Sequence, residues 1–232
     1  MQTIWIITAM KEEADLIIEK YNLKEVNKKW TLTIFHWTLW EKNLVLLLWW
    51  IGKIQASFST THLLENYKID YLVNIWIAGN ISKKIVNIGD VILPTKFFQH
   101  DMYLPFWWEH LNYAKAEIEL SLSAFQASFP LVKGKESGFK IHNNLKCLTW
   151  DQFIDDEEII ENLSETLDWN LVEMEAFAIL SIARNYWILD KCIVIKWISD
   201  WANNKAIHAH MSNLEVAMKN SIVVLDEILK KV

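Results

Sequence analysis

Acids follow several short apolar runs in this chain. Glu12 and Glu13 come after Met1–Thr8, Asp151 after Lys146–Thr149, Glu173 and Glu175 after Leu171–Val172, and Ser199-Asp200 after Cys192–Ile198. If the runs are strands of an open α/β sheet, these ends lie where such sheets bind ligands. Carboxylates gathered there suit acid/base work, or hydroxyl binding on a neutral or cationic substrate. A grip on phosphate would normally call for arginine or a helix N-terminus, and Arg184 is the lone arginine. Each position also has a plainer reading. Glu12 and Glu13 would favour the start of a helix. Ser199-Asp200 could cap one, and Glu173 and Glu175 bracket Met174 ahead of an apolar helix. Four such ends in one chain weigh towards a site, because each plainer reading would have to hold independently.

The elements needed to position these groups are legible. Isoleucine-rich Met1–Thr8 reads as a buried strand, and Lys11–Lys20 as a helix. Leu32–Phe35, Asn43–Trp49, Asp70–Ile75, Val91–Pro94, Lys146–Thr149, Leu171–Val172 and Cys192–Ile198 read as further strands. Ser57–Tyr67, Ile118–Phe129, Asp155–Leu167, Met174–Tyr186 and Leu214–Lys230 read as helices, with Phe58, Leu63 and Leu64 facing the core. Ala78-Gly79-Asn80 reads as a turn, and Gln99–Ala114 as an irregular loop. Strands alternating with helices predict an α/β fold with a mostly parallel, doubly covered sheet.

Composition bounds the rest. The chain has 232 residues, 52% hydrophobic and 22% charged, which predicts one globular domain over 1–232. A net charge of -6 without a basic cluster argues against nucleic-acid or anionic-membrane partners. Two cysteines, Cys147 and Cys192, make no disulfide framework. No signal peptide is visible, and the longest apolar run, Leu44–Ile51, is too short to span a bilayer. A cytoplasmic protein is expected. His208-x-His210 lacks a nearby third ligand and reads as a solvated loop, and Cys192 as a small buried hydrophobe. No dinucleotide, P-loop or nucleophile-elbow pattern is present.

Eight segments fall in the order of one known family. They are Ala9-Met10-Lys11-Glu12-Glu13, Ile51-Gly52-Lys53, Ala78-Gly79, Gly89-Asp90-Val91, His100-Asp101, Asp151-Gln152-Phe153-Ile154, Val172-Glu173-Met174-Glu175-Ala176 and Ile198-Ser199-Asp200. In these the chain resembles the 5′-methylthioadenosine/S-adenosylhomocysteine nucleosidases of the purine nucleoside phosphorylase superfamily, nearly end to end. The resemblance implies a three-layer αβα sandwich with a mixed, mostly parallel central sheet, and a homodimer without cofactor or metal. It implies hydrolysis of the N-glycosidic bond of the two nucleosides, releasing adenine. Carried over, Asp200 is the general acid at adenine N7, oriented by Ser199, and Glu13 activates water with Glu173 nearby. Glu175 holds the ribose hydroxyls above Met174. Phe153 stacks on adenine while the Ile154 backbone reads its edge. Ile51, Ala78 and Gly79 line the pocket, and Phe106 reaches in from the partner subunit. A nucleoside phosphorylase, or a binding protein that has lost catalysis, remains an alternative.

The chain departs from the family pattern in one consistent way. Gly numbers 5 and Trp 14. Trp5, Trp37, Trp50, Trp76, Trp107 and Trp150 stand where the family typically has Gly, and Trp49 where it has Ser. Trp169 lies in a turn-like stretch, and Trp187 follows an apolar helix where a C′ glycine is expected. Lys196 replaces a usual Arg, Ile77 a frequent Ser, and His210 a frequent aromatic.

Overall fold

The computed structural model describes residues 1–29, 32–82, 85–101, 117–121, 138–156, 158–161, 169–203 and 206–232. The isoleucine-rich N-terminal run forms β1 (Thr3–Thr8), buried along almost its whole length, as expected of a strand covered on both faces. Next come α1 (Lys11–Tyr21), β2 (Lys24–Lys29), β3 (Leu32–Leu39), β4 (Lys42–Leu48), α2 (Lys53–Asn66) and β5 (Tyr71–Asn80). The chain continues with β6 (Val91–Leu93), β7 (Lys96–Gln99), β8 (Glu117–Glu119), β9 (Ile141–Asn143), β10 (Lys146–Thr149) and β11 (Leu171–Glu173). It closes with α3 (Ala176–Asn185), β12 (Cys192–Asp200) and α4 (Ala206–Lys231).

Among the described residues all strands join one mixed sheet, ordered β2-β3-β4-β1-β5-β11-β10-β7-β8, with β12 beside β5 and β6, and β9 beside β6. β1 runs parallel to β4 and β5, β12 parallel to β5, and β10 parallel to β7 and β11. Helices flank it in a three-layer αβα sandwich. α1 packs with α4, where Tyr21 Oη donates to Asp226 Oδ1 at 2.6 Å, and α2 packs with α3. α1 buries Glu13, Ala14, Ile17 and Tyr21, one face at helical spacing.

Several expectations need correction. Ala78-Gly79-Asn80 is no turn, because β5 runs on through it to pair with β12 and, antiparallel, with β11. Gly79 suits a close approach here. A Cβ there would meet Ala202 Cβ at 3.0 Å, Asp200 Oδ1 at 3.1 Å and Val172 Cγ1 at 3.2 Å. Residues 118 and 119 of the expected helix Ile118–Phe129 belong instead to β8, paired with β7, and its residues 122–129 lie outside the described residues. Only 158–161 of the expected helix Asp155–Leu167 is described as helical, while 157 and 162–167 are outside. β2, β7 and β9 were not expected. β2 reads KEVNKK, exposed and without alternation over residues 24–28, as a lysine-rich edge strand is. Phe58 is exposed and stacks on His62, whereas Leu63 is buried.

The tryptophans settle into different surroundings. Trp5 is buried in β1, and Trp169 stacks on Phe98. Trp197 is buried, and its Nε1 donates to the Gly89 carbonyl at 3.0 Å. Trp40 and Trp187, by contrast, hold left-handed backbone, at φ 49° and 60°. Trp40 and Glu41 (φ 64°) form the two-residue link from β3 to β4, where both central residues are left-handed and Asn-Gly is favoured. Trp187 ends α3 in a Schellman motif. Its N–H donates to the Arg184 carbonyl at 3.1 Å, and that of Ile188 to the Ala183 carbonyl at 3.0 Å. Its side chain is 91% exposed, so little packing offsets the left-handed strain of about 1–2 kcal/mol. Trp187→Gly is expected to stabilise the fold by about 1 kcal/mol after the added chain entropy of glycine. The denaturation midpoint should rise with an unchanged m-value.

Candidate active site

The tips of β5, β10, β11 and β12 converge, although β11 opposes β5. Leu171 and Val172 pair with Asn80 and Gly79, so the antiparallel strands overlap only at their ends. That overlap brings the β11 acids beside those of β12. There a cavity of about 120 Å³ opens, lined by Met10, Ile51, Trp76 to Gly79, Gln152 to Ile154, Val172 to Met174, Ser199, Asp200 and Ala202.

Asp200 is buried at the end of β12. Its Oδ2 accepts from Ser199 Oγ at 2.5 Å and its Oδ1 from the Ala202 N–H at 2.7 Å. The Ser199 carbonyl in turn accepts from Asn213 Nδ2 at 2.9 Å. The carboxyl is thus fixed in orientation at the cavity wall. Glu173 spends its oxygens on the protein. Oε2 accepts from Lys196 Nζ at 2.8 Å and from the Glu175 and Ala176 N–H groups at 3.1 and 2.8 Å, and Oε1 accepts from the Thr149 hydroxyl. This fully buried ion pair clamps the start of α3, where Glu175 sits. A lysine inside the apolar strand Cys192–Ile198 signals this partner in the sequence, because an unpaired buried ammonium is costly.

Glu13 and Glu175 are fully buried, and each keeps one oxygen without a hydrogen bond among the described residues. Glu13 Oε2 accepts from Thr8 Oγ1 at 2.9 Å, whereas Oε1 makes no well-formed hydrogen bond among the described residues, with only the Ile77 and Met10 backbones near the carboxyl. Glu175 Oε1 accepts from the Gly52 N–H at 2.8 Å, whereas Oε2 has none. Burial pushes Glu13 up to about 8, with the Thr8 hydroxyl pulling the other way. Burial, then the charge of Glu173, pushes Glu175 up to about 8. Buried polar atoms are rarely left unpaired. Two carboxyls with spare oxygens mark capacity held for a ligand or water.

The same shifts carry a stability consequence. A carboxyl raised in the folded state binds more protons folded than unfolded between the ordinary glutamate value and about 8. Stability is therefore lost as pH rises through that window. Glu13→Gln is expected to flatten part of this decline, seen as a smaller drop in denaturation midpoint between about pH 5 and pH 8.

The remaining expected site residues divide. Ile51, Phe153, Ile154, Met174, Ala78 and Gly79 all line the cavity. Phe106 lies outside the described residues, as does the side chain of His210. Glu12 is exposed in the first turn of α1, as the plainer reading had it. Asp151 serves structure, accepting from the Lys53 N–H at 2.9 Å at the start of α2. Thr8 and Thr149 emerge as supporting groups that were not singled out, and Gly52, quoted only within a family segment, gains a role through its N–H on Glu175. The signals were a hydroxyl closing each apolar strand and a glycine, here at φ 100°, before a helix. Among the described residues no group of three or more His, Cys, Asp or Glu is arranged to hold a metal, and no helix is long and apolar enough to cross a membrane.

A mixed αβα sheet with acids at overlapping strand tips defines the class. The model of the phosphorylase superfamily matches residues 3–230, and the chain belongs to that superfamily. Within it, the chain is 29% identical to the 5′-methylthioadenosine/S-adenosylhomocysteine nucleosidase of Buchnera aphidicola subsp. Schizaphis graminum, covering 99% of this chain and 97% of that one. The nucleosidase of the same name from Bacillus cereus is 27% identical, covering 98% of each. In structure the chain is similar to the Neisseria meningitidis nucleosidase in complex with methylthio-immucillin-A, with TM-score 0.84, 24% identity and full coverage of both chains. It is equally similar to the futalosine hydrolase of Helicobacter pylori, with TM-score 0.84 and 21% identity, covering 100% of this chain and 98% of that one. The shared fold alone therefore does not select the nucleoside.

Proposed function

We propose that the chain hydrolyses the N-glycosidic bond of 5′-methylthioadenosine and S-adenosylhomocysteine, releasing adenine and the thio-substituted ribose. The observation that carries the proposal is the set of three buried carboxyls at one strand-tip cluster. Asp200 is at the cavity wall, and Glu13 and Glu175 each hold an unpartnered oxygen. The names borne by its full-length relatives support the choice of substrate.

Cleavage breaks the bond between the base nitrogen and the anomeric carbon through an oxocarbenium-like state, and the bonding electrons leave with adenine. Asp200, steered by Ser199, gives a proton to adenine N7 so that the base departs neutral. Water adds to the anomeric carbon and loses its proton to Glu13 in its ionised form, whose share grows as pH rises towards about 8. Glu175 takes the ribose hydroxyls and, with Glu13, stabilises the cationic sugar. Glu173 and Lys196 hold Glu175 and the local field in place. Met174 lies under the sugar, Phe153 stacks on the base and the Ile154 backbone reads its edge, with Ile51, Ala78 and Gly79 closing the walls. No cofactor enters this scheme. The reading further takes residues 1–232 as one domain acting as a cytoplasmic homodimer, with Phe106 covering the alkylthio group across the interface.

Incubation with methylthioadenosine, with and without phosphate, tests the proposal. Adenine release at the same rate in both is expected. A strict need for phosphate would make the protein a phosphorylase, and binding without release would make it a catalytically dead homologue.

A further inference from the structure

Trp76 lines the cavity, yet the proposed chemistry has no use for an indole there. It lies in β5 with Lys196 as its register partner and Ile77 as its neighbour. Both flank the acid cluster, since the Lys196 charge and the Ile77 backbone act on Glu13. The cavity, about 120 Å³, falls below the ~300–1,000 Å³ of sites that enclose larger ligands. Its wall includes Phe153, Ile154 and Asp200, the groups assigned to the base, and Met174 and Glu173 from the sugar end, but neither Glu13 nor Glu175, the groups assigned to water and ribose. Those two carboxyls are fully buried, each with one oxygen lacking a well-formed hydrogen bond among the described residues. Trp76 is itself 5% exposed, a large flat body in the cavity wall, on β5 beside Lys196, which pairs with Glu173.

We infer that Trp76 determines which ligand this site accepts. It takes up room on the side of the pocket next to the buried acids, so the chain takes free adenine as it stands and takes a nucleoside only when the indole turns out of the cavity. The inference rests on the adenine-nucleoside reading of the site given above. Moving a bulky ring through a close-packed wall is costly, so the burden falls on nucleoside entry and leaves base binding untouched. Residue 76 lies within a regular strand, which glycine or alanine can adopt in its place.

The test compares the native chain with Trp76→Gly and Trp76→Ala, each first confirmed as folded by its thermal transition. The alanine variant guards against a glycine-weakened strand. Two quantities are read for each, the Kd for adenine and kcat/KM for methylthioadenosine. In the variants kcat/KM should rise about tenfold or more while the adenine Kd stays within about threefold. A folded variant with no gain in kcat/KM overturns the inference, as does an equal gain for adenine, which would mean the indole covers the whole site. Failure of all three chains to bind adenine would overturn the adenine reading itself, and the inference with it.

Discussion

Asp200→Asn should lower kcat by roughly 10²-fold or more, the scale of a positioned general acid, while fold and stability stay close to native. The amide keeps the size of the carboxyl. Its oxygen can still accept from Ser199 or from the Ala202 N–H, which are 2.5 and 2.7 Å from the two carboxyl oxygens in the native chain. What it cannot do is give up a proton to a departing base. Because that proton moves only in the transition state, kcat and kcat/KM should fall together with little change in adenine affinity. Turnover within a few-fold of native would remove Asp200 from the role of acid. Ser199 would then need to be reconsidered as part of a mere cap.

Glu13 and Glu175 look alike in burial and in their unpartnered oxygens, yet the proposal gives them different tasks. Glu13→Gln should cost roughly 10²–10⁴-fold in kcat with substrate binding preserved, since taking a proton from water is a transition-state role. Glu175→Gln should weaken substrate binding as well as turnover, because ribose hydroxyls are held in the ground state. The Gly52 N–H that bonds Glu175 can still meet the amide oxygen, so the local backbone should survive. Single-turnover and equilibrium binding measurements separate the two variants. The opposite pattern would exchange the roles.

Much of the site was legible because its acids follow short apolar strands, and a carboxyl at a strand end has few places to go in an α/β fold. Glu173, Glu175, Ser199 and Asp200 could be placed in this way from local spacing. Their convergence could not, since it depends on β5 and β11 meeting antiparallel at their tips, a long-range pairing without a local signature. The turn expected at Ala78-Gly79-Asn80 failed for a related reason. Glycine signals a turn in isolation, but here it answers the side chains of Ala202, Asp200 and Val172 pressing from neighbouring segments. The polar edge β2 escaped notice because residues 24–28 are exposed, so no periodicity was imposed on it. Trp187 shows the reverse case. The helix end asked for glycine from its pattern alone, and the backbone there is left-handed despite the indole.

The central claim is that the buried carboxyls direct water to the anomeric carbon of an adenine nucleoside. The most direct measurement runs the reaction with methylthioadenosine in heavy-oxygen water containing phosphate, and analyses the sugar product by mass. The account predicts free thioribose whose anomeric oxygen carries the solvent label, alongside an equal amount of adenine. A sugar phosphate, or sugar without solvent oxygen, would contradict it.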